Sequence, residues 1–408
     1  MRRSWRRFTS PWGIKISFAM KNLIRRPVAL IWMFLLYTAC HSSAELTAAP
    51  DKTDRPIPTV SAVAVQADPL PTASSFQSAL TEQPKPSPAF IPETPTFTPP
   101  PITRLLFTGV IVPARCVQAA IDARGDYDYP YAEVRGVIST ADLAIGTLNA
   151  TISDFPPRTG CVPTYVLVGG SENADALRRA GFDLMSVATN HIKNCGVSNC
   201  GDRAFIDTLD HLRRVGILPV GAGENHQQAM QPIVVEVNGV RFGFVSSGQI
   251  EPLAFAGEST PGIAVLTPEN LQNAIQEARR LSDVVVAMPH WGPEDVSRPN
   301  YLQRELARIA VHAGADLVVG NHTHVVQAIQ EIDGIPVFYG LGNFVFDQDW
   351  ARDHQQGVIL IVTFQGSRLI GYELIPTHVD GDGTVHLAET GEAQEILKRI
   401  ENASRELP

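Results

Sequence analysis

Histidine and asparagine recur in this sequence at places where a metal ion could be held. Thr189-Asn190-His191 ends the segment that begins FDLMSVAT, His290-Trp291-Gly292 ends DVVVAMPH, and Gly320-Asn321-His322-Thr323-His324 ends DLVVGN. A neutral imidazole offers a lone pair to Zn, Fe, Mn or Ni. In an H-x-H pair on extended backbone, the two rings can flank one ion or bridge two. A lone histidine at a strand end is usually just hydrogen-bonded, but three polar clusters at three strand ends predict a metal site.

The elements that must position these residues follow from the apolar pattern. LLFTGVIV (105–112), ADLAIGTL (141–148), FDLMSVAT (182–189), ILPVGA (217–222), RFGFVSS (241–247), DVVVAMPH (283–290), DLVVGN (316–321), IPVFYGLG (335–342) and GVILIVTF (357–364) read as strands. Most lack strict alternation, which predicts burial on both faces. Amphipathic stretches at 172–181, 202–216 and 301–314 lie between them, and each stops at a glycine. Late in the chain, IPVFYGLGNF, GVILIVTFQG and RLIGYELIPTHV follow one another without a helix and should pair antiparallel. The expectation is a mixed α/β domain with a second, more antiparallel sheet, and sites at its strand ends.

The N-terminal quarter reads differently. The first 26 residues carry eight Lys or Arg and no acid, and VALIWMFLLY (28–37) is an apolar run of only ten. That is half the ~20 residues a membrane span needs, and it has the layout of a secretory signal. Cys40 follows the small residues Thr38 and Ala39, as in a lipidated N-terminus, so residues 1–40 are expected to export the chain. A lipid on Cys40, an uncleaved anchor and plain secretion remain the three forms of that export. Residues 41–102 are crowded with Pro, Ser, Thr and Ala and read as a disordered tether. The expected location is extracytoplasmic and membrane-anchored. A net charge of −9 over 408 residues argues against a nucleic-acid groove.

Four further cysteines, Cys116, Cys161, Cys195 and Cys200, suggest disulfides in an exported chain. Cys195 and Cys200 are close in sequence, which leaves Cys116 with Cys161, although sequence permits three pairings. A zinc cluster is the rival, but no CxxC pair is present.

AGFDLMSVATNHIKNCG, PHWGPED and AGADLVVGNHTHVVQAIQEIDGIPVFYGLGNFVFDQ together resemble the capsule-synthesis CapA (poly-γ-glutamate biosynthesis) family. That family belongs to the calcineurin-like metallophosphatase superfamily. The resemblance implies a four-layer α/β/β/α sandwich over about 103–380, with 381–408 as a tail or helix. It implies Asn149, Asn190, His290, His322 and His324 as metal ligands and His191 as the catalytic group facing substrate. It further implies that Arg115 binds an anion and that Asn343 shapes the loop beside the substrate.

Two departures weaken a two-metal site. Where the family reads FTGDIMLGR, with a ligating Asp, this chain has Val110, and where it reads NLE this chain has Asn149. Bridging carboxylates normally offset the repulsion of two dications, and the surviving ligands are all neutral. One divalent ion (Mn, Zn or Fe) is therefore expected rather than two. Asp142, Asp154, Asp347 and Glu294 are acids that could compensate. Two functions follow: a metal-dependent hydrolase of an anionic polymer or phosphoester, with His191 as general acid or stabiliser, or a polyanion-binding assembly protein with a degenerate metal site. Either works at the membrane with capsule-synthesis proteins.

Overall fold

The computed structural model describes residues 99–193 and 201–407. The export segment 1–40 with Cys40, nearly all of the tether, and Cys195 and Cys200 lie outside the described residues. In chain order the main strands of the first half are β1 (Ile102–Ile111), β2 (Leu143–Leu148), β3 (Leu184–Ser186), β4 (Leu218–Val220), β5 (Ile233–Val237), β6 (Val240–Gly248) and β7 (Val284–His290). The second half adds β8 (Leu317–Val319), β9 (Ile329–Ile332), β10 (Ile335–Phe338), β11 (Asn343–Val345), β12 (Gln356–Gln365), β13 (Arg368–Val379) and β14 (Val385–Leu387). The longer helices are α1 (Cys116–Arg124), α2 (Asn173–Ala180), α3 (Gly201–Arg214), α4 (Pro268–Leu281), α5 (Tyr301–Ala313) and α6 (Thr390–Arg405).

The strands form two large sheets. The first has the order β14-β13-β12-β1-β2-β3-β4, with β11 also paired to β1, and the second has β9-β10-β8-β7-β6-β5. Their facing sides make one core: Leu105, Phe107, Ile145 and Leu184 meet Phe242, Phe244, Val284, Val286 and Leu317. The alternate residues point outward into two further cores. Leu106, Ala144 and Met185 pack against Val117, Leu177 and Leu209 of α1–α3, while Val285, Ala287 and Val318 pack against Ile275, Leu306 and Ala310 of α4 and α5. Helices, sheet, sheet and helices therefore stack as four layers. Burial on both sides explains why the strands lack polar alternation.

Local chemistry sets where the helices begin and end. Thr267 accepts the backbone N–H of Asn270 ahead of Pro268 in α4, and Asn300 and Gln303 form a reciprocal cap on α5. Gly314 follows α5 in the left-handed conformation (φ 110°), which only glycine adopts without strain. At the C-terminus, α6 is part of the domain: Ile396 and Ile400 join the inter-sheet core, and the Ser404 hydroxyl accepts the Ile329 N–H at 2.8 Å. Among the described residues no helix is long and apolar enough to cross a membrane.

One pairing differs from the sequence expectation. β12 and β13 pair antiparallel from Gln356–His378 to Gln365–Arg368. IPVFYGLG meets β12 only through its last residues, in an antiparallel bridge of Gly342 with Gly357, because β10 lies in the other sheet, parallel to β8 and antiparallel to β9. The antiparallel strands β12–β14 are an edge of the first sheet, not a separate second one. A short run buried on both faces reads the same in either sheet, so its apolar pattern could not choose.

Two predictions concern the fold. Phe242 is fully buried and meets Phe364 of the opposite sheet edge-to-face at 5.3 Å, so Phe242→Ala should cost about 3–5 kcal/mol, read as a lower urea midpoint at unchanged m-value. The second concerns His386, which bridges Glu133 (2.9 Å) and Asp380 (2.8 Å) opposite His378. Partial burial lowers its pKa, but the bonds and charges of Glu133 and Asp380 outweigh that and raise it. A raised folded pKa gives stability that is full below the unfolded value of about 6.5 and lost as pH rises through the folded one. His386→Gln should therefore lower the melting temperature at pH 5.5 and leave it nearly unchanged at pH 9.

Candidate functional site

The carboxyl ends of both sheets meet at one place. Asn149 follows β2, Asn190 and His191 follow β3, His290 ends β7, and Asn321 to His324 follow β8. β6 and β7 run parallel in register to their last pair, Gly248 with His290, and a further bridge ties His290 to Asn321. Asn343 arrives through β11, which pairs with β1 opposite Val110. That approach requires Gly109, since a Cβ there would lie 2.1 Å from the Gly342 carbonyl oxygen.

Asn149, Asn190, His290, His322, His324 and Asn343 are all buried. Three of their donor atoms converge: His290 Nε2 lies 2.9 Å from Asn190 Oδ1 and 3.2 Å from His322 Nδ1. His324 sits next to them, its Nδ1 donating to Asn343 Oδ1 at 2.9 Å. Glu294 Oε1 faces the Nε2 atoms of His322 and His324, 3.8 Å from each. Asn149 accepts the His191 N–H at 2.9 Å through Oδ1 and leaves its own Nδ2 buried without a partner. Burial, reinforced by neighbouring rings, pulls the pKa of His322 down to about 3, and burial pulls that of His324 to about 4. His290 is pushed down in the same way. The rings are therefore neutral at physiological pH and present lone pairs.

The backbone is strained at the same place. His322 (φ 112°), His324 (φ 59°), Arg115 (φ 50°) and Asp295 (φ 63°) all adopt conformations that side chains other than glycine avoid. Each costs of order 1–3 kcal/mol, and such residues collect at functional sites.

Two ligands bound about 2.1 Å from one ion stand roughly 3.0–3.4 Å apart at right-angled to tetrahedral geometry. The 3.2 Å between His290 Nε2 and His322 Nδ1 lies in that range, and the 2.9 Å to Asn190 Oδ1 falls just below it, at hydrogen-bond distance. The three atoms satisfy one another only in part: one proton on His290 Nε2 must serve both Asn190 Oδ1, which only accepts, and the His322 Nδ1 lone pair. This donor set fits one borderline cation. It does not fit two, because Val110 packs into the helix-side core and Asn149 is a neutral amide whose Oδ1 is held by the His191 N–H. Among the described residues no group of three or more His, Cys, Asp or Glu is arranged to hold a metal, so the convergence depends on the Asn190 amide.

Two residues expected to touch substrate are engaged elsewhere. Arg115 donates through Nε and Nη2 to Asp347 and through Nη1 to the Thr164 carbonyl, so its charge is already balanced and two of its five N–H donors remain. Asn343 orients His324 and donates to the His354 carbonyl (2.9 Å) and to Gln348 (3.0 Å), so it positions the site instead of binding substrate. His191 is half-buried and stacks on Tyr165. Burial first, then His324 and Arg115, lower its pKa to about 4, which suits a proton acceptor better than the expected general acid. Of the possible compensating acids, Glu294 faces the centre. Asp347 is taken by Arg115, Asp142 accepts the Arg104 N–H, and Asp154 accepts from Ser171.

Beside the histidines opens a cavity of about 730 Å³, lined by His191, His324 and Glu294 within and by Tyr165 and Trp350 further out. Cys116 and Cys161 form a disulfide in its wall, closing a loop with a sequence separation of 45. Such a loop stabilises by roughly 4 kcal/mol on chain-entropy grounds. These two cysteines are therefore not zinc ligands. Tyr165, Trp350 and the His354–Asp295 pair escaped the sequence reading because they sit on loops of no fixed spacing.

A four-layer sandwich with buried histidines and asparagines at the joined strand ends is thus the class of protein. The bacterial capsule synthesis protein PGA_cap family matches residues 104–348, and the chain belongs to that family. The PGA biosynthesis protein CapA of Bacillus subtilis (strain 168) is 31% identical over 255 residues, covering 62% of this chain and 66% of that one. The capsule biosynthesis protein CapA of Bacillus anthracis is 30% identical, covering 62% of each. The chain spans just under two thirds of the length of these Bacillus relatives. A probable polyglutamine synthesis accessory protein of Mycobacterium tuberculosis is 25% identical over 73% of this chain and 82% of that one. Among solved structures, Haemophilus influenzae NAD nucleotidase is 12% identical with a TM-score of 0.44, over 74% of this chain and 63% of that one.

The Arg115–Asp347 pair gives a test of how the site is held. Asp347 also accepts the Cys116 N–H at the start of α1, and both side chains are nearly buried. Asp347→Ala would leave a buried guanidinium unpaired and should cost about 3–5 kcal/mol in chemical unfolding.

Proposed function

We propose that the chain is an exported, membrane-anchored member of the capsule-synthesis family that acts on an anionic polymer of poly-γ-glutamate type. It does so as a metal-dependent hydrolase of an amide or phosphoester bond, alongside other capsule-synthesis proteins. The convergence of Asn190 Oδ1, His290 Nε2 and His322 Nδ1 carries this reading. One Mn, Zn or Fe ion held there would act as a Lewis acid and make water a better nucleophile. The chain's own residues then have separable roles. Asn343 fixes the His324 ring so that Nε2 faces Glu294 and the cavity. His191, neutral and stacked on Tyr165, is placed to take a proton from the attacking group. The disulfide-braced wall and the outer aromatic residues hold the chain to be cut.

A second reading has a specific observation in its favour. Val110 is buried in the core and Asn149 presents an amide donor, so no carboxylate bridges the centre. A protein that only binds and passes on a polymer needs none.

Metal content and hydrolysis separate the two. The hydrolase reading expects about one bound ion per chain, cleavage of a γ-glutamyl polymer or a phosphodiester with that ion, and at least about a tenfold loss of metal affinity in His322→Ala. A purified protein that takes up no Mn, Zn or Fe and cleaves neither substrate would leave the binding reading standing.

A further inference from the structure

The walls of the cavity carry charge of the wrong sign for an anion. Glu294, Asp295, Asp347 and Asp349 line it against one guanidinium, Arg115, a formal charge of −3 with histidines neutral. Arg115 is nearly buried and its charge is balanced by Asp347, with three of its five N–H donors used on Asp347 and the Thr164 carbonyl and Phe346 lying 5.0 Å from the guanidinium. Asp295 accepts from His354 Nε2 at 2.6 Å. A polyanion entering here would meet Glu294, Asp349 and the His354-bound Asp295, while the single Arg among the described lining residues is already balanced by Asp347.

The outer wall adds a second, independent feature. Tyr165 is 77% exposed and Trp350 is 64% exposed, and both line the cavity. Large aromatic rings held out to water beside a cavity mark a place where a ligand covers them. Each is anchored at its base: Tyr165 lies parallel to the His191 ring (8° between planes), and Trp350 meets the His354 ring edge-to-face at 5.7 Å. Electron-rich faces next to carboxylates attract a cation, and an ammonium group satisfies both.

We propose that this cavity binds a ligand bearing a protonated amine, such as the amino end of an amide-linked chain, between its carboxylates and the rings of Tyr165 and Trp350. The proposal rests on reading the cavity as the working site, and it narrows the substrate. A phosphoester brings negative charge to a negative wall, whereas an amide-linked chain can enter by its amino end with its carbonyls directed toward His191 and His324. A polymer with acidic side chains would then be engaged at its terminus, not along its length.

Calorimetry on the full chain tests this, with a chelator present so that a failed metal site cannot cause the outcome. The probes are triglycine amide, which carries one ammonium, its N-acetylated form, and inorganic phosphate. Triglycine amide should bind, with an affinity that falls as salt is raised, and acetylation should weaken it at least about tenfold. Asp349→Asn and Trp350→Ala, both at exposed positions, should each weaken it about fivefold or more at unchanged melting temperature. If triglycine amide does not bind, if its acetylated form binds as well, or if phosphate binds more tightly than either, the proposal is wrong. Amine binding in a protein that takes up no metal would sustain the proposal and remove the hydrolase reading instead.

Discussion

The candidate site depends on one cross-sheet contact, the 2.9 Å approach of Asn190 on the first sheet to His290 on the second. It exists because the two sheets press against each other over a continuous apolar layer that includes Phe107, Phe242, Phe244 and Leu360. That layer fixes how far the strands are offset, and so which residues stand at the seam when the strands stop. Remove the tight packing and the polar ends separate. The site is thus a consequence of the core, and core and site cannot vary independently.

Burial then dictates the chemistry. Groups this far from water keep their neutral form, because charging them would forfeit hydration that nothing nearby replaces. Three imidazoles and an amide crowded together form a set of lone pairs with too few protons to share. The cavity next door obeys the opposite rule. Its wall carries four carboxylates, of which Asp349 is exposed and Asp347 buried, and the one guanidinium among them holds the start of α1 to the loop after β11. A neutral floor and an acidic wall therefore lie side by side. The strained backbone at His322, His324, Arg115 and Asp295 shows that the fold bears a cost to keep both in place.

The strands and the strand-end clusters were legible in the sequence because each run of apolar residues stops at a polar block. His290 and His322 stand at such stops, and the family resemblance ordered them correctly around the chain. Side-chain commitments were not legible. Arg115 looks available to an anion until Asp347, 232 residues away, is seen beneath it. Asn343 looks like a turn residue until its amide is found holding His324. The sheet assignment of β10 was hidden for a related reason, since burial on both faces erases the pattern that distinguishes one sheet from another. Tyr165 and Trp350 carry no periodic signal, and only the folded loops show them at one cavity.

Val110 and Asn149 limit the centre in different ways. A valine buried where a ligand would stand is stabilised by the core, and its position cannot be recovered by side-chain motion. Asn149 is different, because its Oδ1 is committed to the His191 backbone and its Nδ2 is left buried without a partner. An amide N–H₂ repels a cation and attracts an acceptor, so on the first sheet only Asn190 offers the centre a lone pair. The second sheet supplies His290 and His322. A site divided like this can hold one ion on one side only. Whatever the protein does to its ligand must be done with that ion and the neighbouring rings, or with the cavity alone.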